Sequence, residues 1–204
     1  PFVNLGTNVL ISSIHSFGSA EHNCIIIEGS QLMKCWGFNY FYQLGYNDLN
    51  NRGHTTDTMG DKLPTLNLGS ESKVLQVSIG YQHTCAIRID YELRCWGNNE
   101  EGRLGLGTTT SSIPTSSPLF VAVKVHSDTT KKVKYISAGV DHTCVLLDDD
   151  ISAKCVGNDV GQLGQGDQTT RGNSPSTTMD KFPAINVGTG NLKCFGAGDN
   201  GKLG

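Results

Sequence analysis

The strongest constraint on what this chain can fold into is that it repeats itself. The stretch from His83 to Gly107, HTCAIRIDYELRCWGNNEEGRLGLG, recurs earlier as HNCIIIEGSQLMKCWGFNYFYQLG, from His22 to Gly45. It recurs later as HTCVLLDDDISAKCVGNDVGQLG, from His142 to Gly164, and in part as NLKCFGAGDNGKLG, from Asn191 to Gly204. Each copy reads as two short β-rich runs around a polar tip, such as Asp90-Tyr91-Glu92, which is the pattern of a hairpin. A Gly- and Asn-rich corner then turns the chain away. The second cysteines, Cys35, Cys95 and Cys155, stand 60 residues apart, and the next step, to Cys194, is only 39. A fixed period of this size marks a repeat architecture.

A second landmark keeps the same register. MGDKLPTLNLG, Met59 to Gly69, matches MDKFPAINVG, Met179 to Gly188, and the chain opens on the tail of the motif, Pro1 to Gly6. After Gly69 the chain runs through a strand-like segment, Lys73 to Gly80, before its His-Thr-Cys. After Gly188 it goes almost directly to Leu192-Lys193-Cys194. The fourth copy therefore lacks one strand and half a hairpin. That deletion removes a cysteine, which accounts for the odd total of 7 and leaves Cys194 over.

The combination H-T-C-A-I…C-W-G-x-N-x-x-G-x-L-G resembles the repeat of the regulator of chromosome condensation family, whose fold is a seven-bladed β-propeller. The resemblance covers nearly the whole chain. Departures are Val156 in place of Trp, a third corner one residue short, Tyr42 where the corner Gly is expected, and Asn23 in place of Thr. The expected fold is all-β: an open, partial β-propeller of about three and a half four-stranded antiparallel blades. The expected blades are 1–45, 46–105, 106–164 and a truncated 165–204, with Leu63–Leu68 and Val74–Ile79 counted in the second and Phe120–Val125 in the third. Trp36 and Trp96 are expected to wedge between blades. Blades bury their faces against neighbours, so the chain reads as a piece of a longer propeller whose remaining blades are its first partners.

The cysteines bear on compartment. Cys24/Cys35, Cys85/Cys95 and Cys144/Cys155 are separated by 11, 10 and 11 residues. With Asp90 at the hairpin centre, Cys85 and Cys95 face each other, at a Cα separation of roughly 4.5–5.5 Å, within reach of a disulfide. Closing such a loop contributes about 2.5–3 kcal/mol in the chain-entropy model. The alternatives are buried free thiol pairs or a zinc site, and zinc ordinarily takes closely spaced C-x-x-C clusters that this chain lacks. Disulfides imply an oxidising setting, extracellular or cell-surface; without them the setting is cytoplasmic or nuclear.

Several motifs imitate chemistry. Gly196 to Lys202 satisfies a phosphate-loop spacing, but Leu203 stands where Ser or Thr is needed, and no helix pattern follows. His22, His83 and His142 occupy equivalent positions on separate blades and are expected to bond a backbone group of the adjacent turn. Asp148-Asp149-Asp150 sits at a hairpin tip as solvated charge rather than a calcium loop. No nucleophile–base constellation or opposed carboxylate pair emerges. The net charge of −3 and the absence of a Lys/Arg cluster argue against nucleic acid. No apolar run is long enough to span a membrane.

One corner differs in kind. Phe38, Tyr40, Phe41 and Tyr42 stand where the second copy has Asn98, Glu100, Glu101 and Gly102. Aromatics on a loop are favoured interface anchors; the competing reading packs them on the connection Asn47–Thr58. The sequence points to a non-catalytic scaffold, with no cofactor, that binds a protein partner through its loops. The resemblance adds two alternatives. One is nucleotide exchange on a small GTPase, for which Thr108–Lys132 is the candidate wedge. The other is a secreted enzyme inhibitor.

Overall fold

A computed structural model describes residues 2–110, 120–128 and 130–186. It is all-β, with only single-turn 3₁₀ segments besides. The first sheet is β1 (Ile11–His15), β2 (His22–Ile27) and β3 (Met33–Gly37). The second is β4 (Val74–Ile79), β5 (His83–Arg88) and β6 (Leu93–Gly97). The third is β7 (Val133–Ala138), β8 (His142–Leu147) and β9 (Ser152–Gly157), with β10 (Ile185–Asn186) on its outer edge. All pairings are antiparallel, and the hairpin register sets Cys24, Cys85 and Cys144 opposite Cys35, Cys95 and Cys155. In each pair the Cα atoms are 4.1 Å apart and the sulfurs lie at bonding distance. Cys194 and the fourth copy lie outside the described residues.

The glycine that follows Trp or Val at the end of each hairpin is fixed by close approach. Gly37, Gly97 and Gly157 have φ of +118°, +109° and +115°. A Cβ on them would stand 2.3, 2.5 and 2.1 Å from the carbonyl oxygens of Glu21, Gln82 and Asp141. Only glycine permits that conformation and that contact.

The outer strands do not belong where the sequence placed them. Leu66 N–H donates to Met33 O at 2.9 Å, so Leu63–Leu68 lies along the first sheet rather than within the second. Val123 N–H donates to Leu93 O at 2.9 Å, and Arg94 bridges to Ala122, so Phe120–Val125 extends the second sheet rather than the third. β10 extends the third in the same way. Residues 2–10 form no strand; they rest on the turn at Gly60–Lys62, with Thr7 bonded to Asp61 at 2.7 Å through both backbone and hydroxyl. The reason is a repeating cation. Lys34, Arg94 and Lys154 precede the second cysteine of each hairpin and reach carbonyls of the segment that follows, Lys34 also reaching back to Leu5. Lys34 Nζ donates to Leu5 O at 2.8 Å and Gly60 O at 3.3 Å. Lys154 Nζ donates to Met179 O at 2.5 Å and Phe182 O at 2.9 Å, and Arg94 bonds the Phe120 carbonyl. Charge-assisted bonds of this kind are about twice as strong as neutral ones.

Two cores lie between the sheets. One gathers Cys24, Met33, Cys35, Leu44 and Leu66 from the first repeat with Val74, Val77, Ala86, Trp96 and Phe120. The other gathers Cys85, Ile87, Leu93, Leu104 and Val123 with Val133, Ile136, Val145, Val156 and Met179. Strand period two explains the division: on β5, Ala86 faces one core while Cys85 and Ile87 face the other. All six residues of β5 are therefore buried. Trp96 wedges between blades as expected, edge-on to Phe120 at 4.8 Å between centroids. Trp36 is only half-buried.

A buried corner residue holds each following connection. Leu44 and Leu104 N–H groups donate to Asn39 and Asn99 Oδ1 at 2.9 and 3.0 Å. The Nδ2 of Asn39 donates to Asp48 O and Asn50 O; that of Asn99 donates to Thr108 O and Thr110 O. The third corner has Asp159 here. A carboxylate accepts from Leu163 and Gly161 but cannot donate, and its fully buried Oδ2 makes no hydrogen bond, with Arg171 at 3.6 Å. Restoring the donor with Asp159→Asn is expected to raise unfolding stability by about 1 kcal/mol, read as a higher urea midpoint at unchanged slope. A lower midpoint would show that the Arg171 contact outweighs the missing donor.

Candidate functional site

The blades are joined by a polar clasp built from the His-Thr of each hairpin. His22 Nε2 lies 2.8 Å from Thr84 Oγ1 of the next blade, and Thr84 Oγ1 donates to Gln43 O at 2.8 Å. The threonine proton is committed to Gln43, so the imidazole donates from Nε2 and its bare Nδ1 is buried without a partner. Trp96 Nε1 donates to the same Gln43 carbonyl at 3.0 Å. At the next seam, His83 Nε2 lies 2.9 Å from Thr143 Oγ1, and His83 Nδ1 is again unpartnered. The histidines are structural, but they bond a neighbouring blade's hydroxyl rather than a backbone group of their own turn. The turn is too close for that bond: the ring of His83 packs over Gly80, whose Cβ would stand 2.1 Å from it. The His142 imidazole makes no hydrogen bond among the described residues, and the fourth copy carries no His-Thr-Cys for it to reach. Burial holds the clasp histidines neutral, His22 down to about 4 and His83 to about 3.

Gln43 also marks where the aromatic corner begins. Phe41 N–H donates to Gln43 Oε1 at 2.8 Å, and Phe38 N–H to Glu21 O at 2.9 Å. Tyr42 takes φ +62° at the position where the second copy has Gly102, at +72°. The rings pack on one another: Phe38 stacks on Tyr40 at 6.2 Å, and Tyr40 meets Phe41 edge-on at 5.2 Å. Tyr40 is 65 % exposed. The connection Asn47–Thr58 is held by other groups. Asn51 Oδ1 accepts from Asn39 N–H at 2.8 Å; the Arg52 guanidinium lies 4.1 Å over the centre of the Tyr46 ring, whose OH donates to Cys35 O and Pro64 O.

Two clips were invisible as chemistry in the sequence but carry a signal in it. Asp48 and Asp167 each sit four residues before an arginine, and Arg52 and Arg171 grip them with both nitrogens, at 3.0 and 2.8 Å and at 2.9 and 2.8 Å. Each arginine also pairs through its backbone with the hairpin glycine, Gly37 or Gly157. Asp149 and Asp150 are spent on Lys131 and Lys134. Among the described residues no group of three or more His, Cys, Asp or Glu could hold a metal ion, and no helix is long and apolar enough to cross a membrane. Gly196–Lys202 lies outside the described residues.

The regulator of chromosome condensation (RCC1) repeat matches residues 35–87 and 93–146, more than half of the chain. The chain belongs to the RCC1 repeat family. It is 28 % identical over 152 residues to the ultraviolet-B receptor UVR8 of Arabidopsis thaliana, covering 74 % of this chain and 31 % of the receptor. It is 41 % identical over 73 residues to the probable E3 ubiquitin-protein ligase HERC4 of Rattus norvegicus, covering 34 % of this chain and 6 % of the ligase. Among solved structures, human WBSCR16 aligns with a TM-score of 0.62 at 18 % identity, over 89 % of this chain and 42 % of that one. Yeast RCC1 (Prp20), solved bound to Kap60, aligns at 0.60 and 17 %, over 96 % and 40 %. The chain thus spans less than half the length of each of these proteins. The RCC1 repeat as matched starts in β3 and ends in β5, then starts again in β6 and ends in β8. It straddles two blades and encloses one corner with the His-Thr of the next hairpin, whose Thr84 in the first match donates to Gln43 O.

The clasp of this RCC1 chain makes stability depend on pH. The unfolded histidines titrate near 6.5 while the folded ones stay neutral down to about 4, so the unfolded state binds more protons in that window. Unfolding stability should fall as pH drops from about 7 to about 4. Thr84→Val, which strips the bond from buried His22, should cost about 1–3 kcal/mol at pH 7, while Thr84→Ser should retain most of it. A loss from Thr84→Ser with none from Thr84→Val in urea melts would show that the methyl packing, not the hydroxyl, matters.

Proposed function

We propose that this chain is a non-catalytic scaffold that contacts a protein partner through the first corner, with Phe38, Tyr40, Phe41 and Tyr42 as the contact residues. The observation that carries the reading is a cluster of stacked rings, exposed at Tyr40, on a corner whose structural work is done by Asn39 and Gln43. The second and third copies build the same corner with Glu100, Glu101 and Val160, so the fold itself has no need of the rings. Aromatics buried by a partner supply about 2 kcal/mol or more each. Yeast RCC1 (Prp20), bound to Kap60 in its crystal structure, is a propeller of this fold that holds a protein partner.

The three cysteine pairs support an oxidising, extracellular or cell-surface setting. Nucleotide exchange on a small GTPase draws no support from the geometry. Its candidate segment, Thr108–Lys132, lies in part outside the described residues.

Panning a random peptide library on the chain, then measuring the selected peptides by anisotropy, tests the reading. Phe38→Asn, Tyr40→Ser and Phe41→Ser combined should weaken binding by roughly tenfold or more, with Tm shifted by less than about 2 °C. Unchanged binding, or a large drop in Tm, would show that the corner is structural.

A further inference from the structure

The aromatic corner belongs to a longer strip. Phe38 N–H is bonded to Glu21 O at 2.9 Å, which sets the exposed Glu21 at one border of the rings. At the other border, Gln43 O accepts from Thr84 and Trp96, bringing the corner against the head of the second hairpin. Tyr81, 36 % exposed, stands there two residues before His83. Asn98 bonds Gln82 through both its N–H and its Nδ2, each at 2.9 Å, and Glu100 N–H donates to Asn98 Oδ1 at 2.8 Å. The second corner, with Glu100 and Glu101 exposed, therefore follows directly. These bonds link into one run the exposed Glu21, the corner of Phe38, Tyr40 and Phe41, the hairpin head at Tyr81, and the corner of Glu100 and Glu101.

The acids on this strip are not neutralised. Among the described residues Glu21 and Glu101 have no ion-pair partner. Glu100 reaches Arg103 only at 3.9 Å, and that arginine is buried and bonded to Asp141 at 2.9 Å. Three of the lysines are engaged elsewhere, Lys62 with Asp57, and Lys131 and Lys134 with Asp149 and Asp150. A second feature lies beneath the rings. Gln43 is 1 % exposed, and its Nε2 has no acceptor. In the third corner the same amide, Gln162 Nε2, donates to Asn158 O at 2.8 Å. The longer first corner leaves that donor unmet inside the frame, so Gln43 acts on the corner and not on a partner.

We infer that this face receives a segment of a protein partner that carries Lys or Arg beside aromatic or large aliphatic side chains. The inference rests on the reading of the first corner as the contact site, and adds the chemistry of what binds there. The rings supply a desolvated anchor, and the unpaired carboxylates on both sides select cations and repel an acidic segment.

Three fluorescein-labelled peptides of equal length test it on the full chain: one alternating Lys and Trp, one with each Lys replaced by Glu, and one with each Trp replaced by Ser. The Lys/Trp peptide should bind at least about tenfold more tightly than either control, and less tightly at high salt. The combined variant Glu21→Gln, Glu100→Gln and Glu101→Gln should erase the preference over the Glu/Trp peptide while leaving Tm unchanged. The combined variant Tyr40→Ser and Phe41→Ser should abolish the preference over the Lys/Ser peptide. If the ring variant abolishes binding and the acid variant changes nothing, the corner is the contact site and the inference about charge is wrong. If the Lys/Trp peptide binds both variants as it binds the parent, both readings fall.

Discussion

A hydrogen bond from a histidine on one blade to a threonine on the next sets the geometry on which everything else depends. The blades have two apolar faces each, and hydrophobic burial brings such faces together without fixing their angle or register. Direction comes from polar groups at one end of the seam: His22 on Thr84, Thr84 on Gln43 O, and Trp96 on the same oxygen. Along the inner strands the seam between the second and third sheets is pinned again, by Ile136 N–H on Gln76 Oε1 at 3.0 Å and Ala138 N–H on Ser78 Oγ at 2.9 Å. A bond made in this low-dielectric setting is strong, and a broken one leaves a buried group unmet. The arrangement therefore tolerates little slippage. It also explains why the family's sequence repeat runs from one hairpin into the next: what recurs is the seam rather than the sheet.

With the seam fixed, the corners are free to vary at their tips. The invariant duties fall to the residue at 39, 99 or 159 and to the backbone carbonyl at Gln43. The side chains at 40, 41, 100, 101 and 160 carry none of that load, and they differ completely between copies: Tyr and Phe, then Glu and Glu, then Val. A rigid frame with variable tips is how repeat folds separate stability from recognition. The strain of Tyr42 in the left-handed region is carried at the frame, one residue before Gln43.

Much of this was legible in the chain and some was not, for physical reasons. The hairpin register was legible because the paired cysteines sit at opposed positions, and strand pairing has a period of two that admits no partial slip. The assignment of outer strands was not. A period of 60 is the same whether Leu63–Leu68 is counted with the hairpin before it or after it, and only the reach of Lys34 and the Leu66–Met33 bond decide. The residue marking that choice, a cation before each second cysteine, was in plain view at Lys34, Arg94 and Lys154. The clasp was hidden for a different reason. His22 and Thr84 are 62 residues apart, and nothing local to either announces the other. The aromatic corner was legible only by contrast with its copies, since a ring cluster on one loop has no meaning until the same loop is seen without it.

The same seam logic ranks the blades. The second sheet is buried on both faces and takes part in clasps at both seams, so every residue of β5 is sequestered. Among the described residues the first sheet packs on one neighbouring sheet. On β1, Ile14 is 65 % exposed, while its counterparts Val77 and Ile136 are 2 % and 6 % exposed. Ile11 stands open where Val74 and Val133 are buried. Trp36 is only half-buried and, unlike Trp96, has no corner carbonyl for its indole N–H among the described residues. Nearest-neighbour coupling then makes stability a property of seams rather than of single sheets. The aromatic corner lies at the first seam, joined through Gln43 to both Thr84 and Trp96 of the fully buried blade. The frame under its rings is thereby tied to the second sheet, which lowers the entropy cost of ordering them against a partner.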